Sequence, residues 1–385
     1  MEATFERVAL QPSCHHQLNQ KFTAIHQRIQ AHHALIERVC FVLYDPCDHL
    51  LKTYADSTHP CLSGFHFQAP ISSLPALKPC LESRTHTVFA DLNELRSCSF
   101  VRHLLEQGYH SSVAWPVFSA KQFRGFIFAL SSHVGAFDEQ DFTHLTPYLN
   151  MLQTTVLAEF ELVSALLNKA HAVVARSPIY QRESSAHKQR MAAYCELIAT
   201  GLAERYDFDD EWIEHLSLFS QFHDIGKVML PPELLCKQER LTREEVVQLQ
   251  SHIAHGEKLL EQFANQLGEL EHPTIELFAQ VIAHHYEFLD GSGYPRQLKA
   301  EAIPISSRIV CVANIFDALT SHKPYKQAWS IPYAMIELGK MVAEGKLDGE
   351  CVNVLREHQA ALKAIVDRYP ERDPKDGGYE SQKAQ

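Results

Sequence analysis

Two short stretches carry most of the chemistry in this chain: "QFHDIGK" at 221–227, and "AHHYEFLDGSGYP" at 283–295, where two histidines precede a glycine-rich turn. An adjacent imidazole and carboxylate at a helix end can serve neighbouring cations. A carboxylate has two oxygens and can bridge two ions, which an imidazole cannot. Gly226 permits close backbone approach, and Lys227 offers a cation to a phosphate. His223–Asp224 alone is a common dipeptide, so the spacing of the other groups decides its meaning. His187 lies in "ESSAHKQRMAAY", with Glu183 four residues before it and on the same face if the helix reaches back that far. His252 lies in "QSHIAHGEKLL", with Gly256 one turn later, and His284 and His285 close the next helix. Four successive helices thus each offer a ligand-type side chain, as helix bundles do when they build histidine–carboxylate metal centres. Iron or manganese suits such a mixed donor set best; zinc, nickel and magnesium stay open.

The elements that must hold these groups fall into two classes. From about residue 170 the pattern reads as helix throughout, over 183–205, 209–222, 231–237, 242–267, 273–287, 304–320, 331–345 and 348–368. The expectation is an all-α bundle over 166–370, with a disordered polar tail at 371–385. Residues 1–165 read instead as an α+β unit. "RVCFVLYD" and "LLKTYAD" form one hairpin, and "SSVAWPVF" and "RGFIFALS" another, with "HTVFAD" as a further strand. A long helix over about 138–170 begins with "DEQD" at its positive end. Leu149, Leu152, Val156, Phe160, Val163 and Leu167 recur along it at three or four. That stripe suits packing on its own sheet, on a sister helix in a homodimer, or both. The junction to the bundle reads as continuous helix.

Composition bounds the partners. The chain has 385 residues, enough for two or three domains, and a formal net charge of −12. Without a basic face, a nucleic-acid polymer is not an expected partner. There is no apolar run long enough to span a membrane, and "MEATFERVALQPSC" has no signal-peptide core. Ten cysteines without a C-x-x-C pair read as reduced thiols, hence a cytoplasmic protein. Among single residues, His255 reads as a solvent-facing helix residue, His322 as a loop residue and Asp290 as a turn former.

Two resemblances follow from these motifs. "GYHSSVAWPVF", "FRGFIFALSS" and the "FDEQDFTHL" helix start resemble a GAF domain over most of residues 20–165. This implies a sensory and dimerising module with an unknown small ligand. Cys61, Cys98 and His103 could line its pocket, although ordinary packed or exposed side chains are the simpler reading. Residues 175–368 resemble the HD-GYP phosphodiesterases, a branch of the HD metal-dependent phosphohydrolases. The match runs through His187, "HDIGK" at 223–227, "HIAHG" at 252–256, "HYEFLDGSGYP" at 285–295 and "RIVCVANIFDALTSHKPYK" at 308–326.

The HD-GYP resemblance implies two divalent metals, with a third where Glu183 joins. His187, His223, Asp224, His252, His284, His285 and Asn314 are the other ligand candidates. It implies Asp224 and Lys227 as catalytic residues, and Lys227, Lys323, Lys326 and Tyr294 around the substrate. The implied reaction is hydrolysis of a cyclic dinucleotide such as cyclic di-GMP to the linear dinucleotide and on to mononucleotides. Cyclic GMP-AMP, or a degenerate receptor that binds without turnover, are the alternatives. This chain departs from the family pattern in three places. Tyr286 stands where the family has its second histidine, leaving the role of the shifted His284–His285 doublet open. Asn314 replaces an aspartate; Asp317, three residues on, is a candidate substitute, although the resemblance implies a structural part for it. Lys323 replaces an arginine and loses its bidentate fork.

Overall fold

Apolar residues run without alternation through "RVCFVLYD", the signature of a strand covered on both faces. In the computed structural model this is β1 (Arg38–Asp45), in the middle of a six-stranded sheet. The structure describes residues 17–46, 48–58, 68–119, 121–137, 139–177, 185–237, 239–321 and 328–371. The sheet order is β3-β2-β1-β6-β5-β4, and its recorded pairs are antiparallel. The other strands are β2 (Leu50–Asp56), β3 (Gln68–Pro70), β4 (Thr87–Phe89), β5 (Ser111–Ser119) and β6 (Gln122–Ser131).

Period two then sorts the core into two layers. Val39, Phe41, Val113, Val117 and Ile127 face α1 (Gln17–Gln30) and α4 (Glu139–Ala175). Cys40, Val42, Ala114, Phe126 and Phe128 face α2 (Lys78–Ser83) and α3 (Ser99–Glu106). The helices α1, α2 and α3 and the strand β3 are additions to the sequence expectation. Cys98 flanks α3 and packs against the second layer, while His103 Nε2 lies 3.0 Å from the Gln107 amide nitrogen. Cys61 is outside the described residues.

The stripe on α4 is spent within the chain. Leu149, Leu152 and Val156 are fully buried under the sheet, and the Phe160 ring stacks on Tyr54. Val163 is buried as well, while Phe160 and Leu167 further along the stripe are half-buried. The junction expected as continuous helix is one: α4 runs unbroken from Glu139 to Ala175, through residues 165 and 166.

The remainder is helical. It comprises α5 (Ser185–Tyr206), α6 (Asp210–Ser220), a 3-10 turn at Ile225–Met229, α7 (Pro232–Leu235), α8 (Arg243–Gln250) and α9 (His252–Leu267). Then come α10 (Pro273–His284), α11 (Ile305–Thr320), α12 (Ile331–Ala343), α13 (Gly349–Glu357) and α14 (Gln359–Arg368). The span expected as one helix over 242–267 breaks at Ser251, and that over 348–368 breaks at His358. By contacts the chain divides into two compact units, Met1–Val163 with Ala203–Trp212, and Ser164–Leu202 with Ile213–Gln385. α11 is buried along most of its length within the second unit, with Ile309, Val310, Val312, Ala313 and Phe316 fully buried. No helix among the described residues is long and apolar enough to cross a membrane. The tail expected to be disordered lies, from residue 372 onward, outside the described residues.

Because Val156 has no exposed surface, Val156→Asp places an unpaired carboxylate in the core. We expect it to cost more than about 4 kcal/mol, read as a lowered urea midpoint. An unchanged midpoint with halved mass in solution would instead place Val156 in an interface between two copies of the chain.

Candidate metal centre

Asp224 is the hub of the second unit's polar interior, although its residue is almost wholly buried. α6 stops at Ser220, and the turn that follows brings His223 and Asp224 inward before the 3-10 turn starts. His223 Nε2 lies 3.2 Å from Asp224 Oδ2. His252 Nε2 and His285 Nε2 lie 3.1 and 3.4 Å from Oδ1. The Lys227 ammonium also meets Oδ2.

The other ring nitrogens are tied to backbone. His223 Nδ1 meets the Ser220 carbonyl at 2.8 Å, and His252 Nδ1 meets that of Leu249 at 2.6 Å. His285 Nδ1 sits 3.0 Å from the carbonyls of both Val281 and Ile282. A carbonyl only accepts, so each Nδ1 carries the proton and donates it. In the neutral ring, Nε2 then presents a lone pair to the carboxylate. Burial pushes the His285 pKa down to about 4, so this ring is neutral at pH 7. Burial alone would raise the Asp224 pKa; the Lys227 ammonium and His223 outweigh it and hold the carboxyl well below its usual range.

The result is a set of acceptors aimed at one another. His252 Nε2, His285 Nε2 and Asp224 Oδ1 are buried and have no hydrogen-bond partner. Buried acceptors left unsatisfied are costly, and a cation among them removes the cost. Atoms of His223, Asp224 and His285 also lie within 4.8 Å of one another, close enough to ligate one ion. The donor set is therefore chemically fit for a metal.

Glycine makes this approach possible. A Cβ on Gly226 would lie 1.9 Å from the His252 carbonyl oxygen and 2.5 Å from the Gly256 nitrogen. A Cβ on Gly256 would lie 2.7 Å from Ile282. The two glycines of "HDIGK" and "HIAHG" thus let the 3-10 turn, α9 and α10 close around Asp224. The break at Ser251 has the same consequence: His252 becomes the first residue of α9, able to reach back to Leu249.

The structure separates the remaining candidates. His187 on α5 stands with its ring 5.6 Å from that of His223, and its Nδ1 is 2.7 Å from Asp317 Oδ2. Asp317 also takes Arg190 Nε at 2.6 Å, so its oxygens serve α5 and it orients His187. Asn314 is half-buried one turn earlier on α11. His284, the last residue of α10, is not among the residues that meet Asp224; its Nδ1 faces Arg296 Nη1 at 3.5 Å. Tyr286 stacks on Tyr294 with centroids 4.9 Å apart and lies 4.5 Å from the His285 ring. Burial raises the Tyr294 phenol pKa, with Tyr286 and Asp224 adding to the effect. Asp290 is an exposed turn former, accepting from Ser292 N at 2.8 Å. Glu183, Lys323, Lys326 and His322 lie outside the described residues.

Sequence reasoning passed over Glu287 and Arg190. Glu287 is buried, and its carboxylate accepts from Arg296 N at 2.6 Å and Leu298 N at 3.0 Å. It thereby holds the loop after the histidines in shape. Its place inside "HYEFLDGSGYP" was the available signal; Arg190 carried none.

Residues 177–351 match the family model described as "HD domain", and this stretch of the chain is an HD domain. Among curated relatives, it is 35% identical over 205 residues to the 3'3'-cGAMP-specific phosphodiesterase 2 of Vibrio cholerae, covering 53% of this chain and 36% of that protein. It is 34% identical over 187 residues to the cyclic di-GMP phosphodiesterase response regulator RpfG of Xanthomonas campestris, covering 48% of this chain and 46% of the other. The chain thus spans between about a third and a half of the length of these relatives. Among solved structures, 36% of the chain is similar to 91% of the GAF domain/HD domain protein from Geobacter sulfurreducens, with 12% identity and a TM-score of 0.29.

Gly226→Ala tests the packing argument. We expect it to cost about 1–3 kcal/mol and to weaken metal uptake, measured by urea unfolding and by metal content after gel filtration. Wild-type stability and metal content together would show that the close approach is dispensable.

Proposed function

We propose that the HD domain binds two divalent metals, iron or manganese, and hydrolyses a cyclic dinucleotide. One observation carries this reading: the two oxygens of buried Asp224 face different histidines, Oδ2 toward His223 and Oδ1 toward His252 and His285. That is the arrangement a bridging carboxylate requires. His187 and His223 would complete one side, and His252 and His285 the other. A third ion would call on Glu183, and Asn314 is a weaker, uncharged candidate ligand. When bound, the ions supply Lewis acidity toward a phosphoryl oxygen.

The chain's own residues do the rest. Lys227 holds its ammonium against Asp224 and can turn to a phosphate oxygen. The Tyr286–Tyr294 stack borders His285 and offers an aromatic flank to a base. Lys323 and Lys326 would add phosphate-neutralising charge. The relatives named above act on cyclic di-GMP or on 3'3'-cGAMP, and both support a cyclic dinucleotide as the substrate class. We read the N-terminal unit as the sensory module for a small ligand. Every described cysteine is a free thiol, which suits the cytoplasm. A second reading, binding without turnover, draws on Tyr286 and Asn314.

The test uses protein purified without chelator, offered cyclic di-GMP and 3'3'-cGAMP, beside Asp224→Ala. About two metals per chain and hydrolysis reduced more than about 100-fold in the variant are expected. Bound metal with neither substrate turned over would favour the receptor reading. Chelation should also lower stability: a metal present at 100 times its Kd contributes about 2.7 kcal/mol. A chelator that leaves the melting temperature unchanged would count against a resident metal.

A further inference from the structure

Arg190 is a buried guanidinium, 3% exposed, one turn after His187 on α5. Its Nε donates to Asp317 Oδ1 at 2.6 Å, and its Nη2 to Asp317 Oδ2 at 3.1 Å. Nη2 also reaches Ser321 Oγ at 2.8 Å. On its far side Arg190 meets the C-terminal end of the bundle: Nη1 donates to the Tyr369 carbonyl at 2.8 Å, and Nη2 to Glu371 Oε1 at 2.6 Å. The same Asp317 accepts from His187 Nδ1 at 2.7 Å. A continuous chain of charge-assisted bonds therefore runs from Glu371 through Arg190 and Asp317 to His187.

We propose that Glu371, just beyond α14, is a positioning residue that tunes the metal affinity of His187 through Arg190 and Asp317. The inference rests on reading His187 as a metal ligand. A guanidinium facing one carboxylate neutralises it, and Asp317 would then be a weak acceptor for His187. With a second carboxylate on the same guanidinium, the group as a whole keeps one negative charge. Asp317 then draws more strongly on the His187 Nδ1–H, which fixes the ring and makes Nε2 the more basic donor.

The test is Mn2+ affinity of the full chain by calorimetry, for wild type, Glu371→Gln, Glu371→Ala, His187→Ala and the His187→Ala/Glu371→Gln pair. Glu371→Gln keeps size and one polar contact while removing charge. It should weaken Mn2+ binding about tenfold and should have no further effect once His187 is gone. Wild-type affinity in both Glu371 variants would overturn the proposal, as would a tenfold loss that persists without His187. Wild-type protein that takes up no Mn2+ would overturn the metal-centre reading itself, an outcome distinct from intact binding with unaffected variants.

Discussion

The convergence of acceptors on one buried carboxylate is the constraint around which the second unit is organised. Asp224 brings a charge into the interior, and three imidazoles turn their Nε2 atoms toward it because backbone carbonyls hold their Nδ1 protons. A bundle built only for stability would place apolar side chains there, since a buried charge is expensive unless it is compensated. Lys227 supplies one positive charge at Oδ2. The Oδ1 side has the orphaned acceptors and calls for another cation. Gly226 and Gly256, the short 3-10 turn and the break before α9 are all means to that approach.

Much of the architecture was legible because it is written in local periodicity. β1, β2, β5 and β6 appear where apolar runs flanked by turn residues placed them. The short helices α2 and α3 were not legible. α2 is six residues long and α3 eight, too short for a repeat to stand out even though Phe100, Val101 and Leu104 share one face of α3, and both pack on the sheet's second face. The break at Ser251 escaped for a related reason. "VVQLQSHIAHG" has good helix formers on both sides, and only tertiary closure on Asp224 decides that the helix stops and restarts. The apolar stripe on α4 was legible too, but periodicity does not say which surface a stripe covers; the sheet covers Leu149, Leu152 and Val156.

The site divides along the same line. His223, Asp224 and His252 were legible from residue type and spacing. Arg190 was not legible, and Asp317 was legible only as either a substitute ligand or a structural residue, since their meaning lies in a contact across more than a hundred residues, between α5 and α11. A stand-in for the acid missing at Asn314 was one of the two readings of Asp317. Its oxygens are instead engaged by His187 and Arg190, so it acts on its neighbour's nitrogen.

The His284–His285 doublet shows why type and spacing stop short. Neighbouring residues at a helix end differ by about 100° of rotation, so one backbone cannot aim both rings at Asp224. α10 ends at His284, and the next residue, His285, turns into the site with its Nδ1 on the carbonyls of the turn behind it. His284 is left facing Arg296, whose guanidinium is held by Glu257 at 2.6 Å. Tyr286, one residue further, lies against Tyr294, whose backbone N–H donates to the Tyr286 carbonyl at 3.1 Å. The glycine turn that brings Tyr294 back is tight enough that a Cβ on Gly293 would lie 2.4 Å from the Phe288 nitrogen. The substitution of Tyr286 is therefore matched by its surroundings: the ring has a stacking partner, and His285 occupies the Asp224 side of the loop.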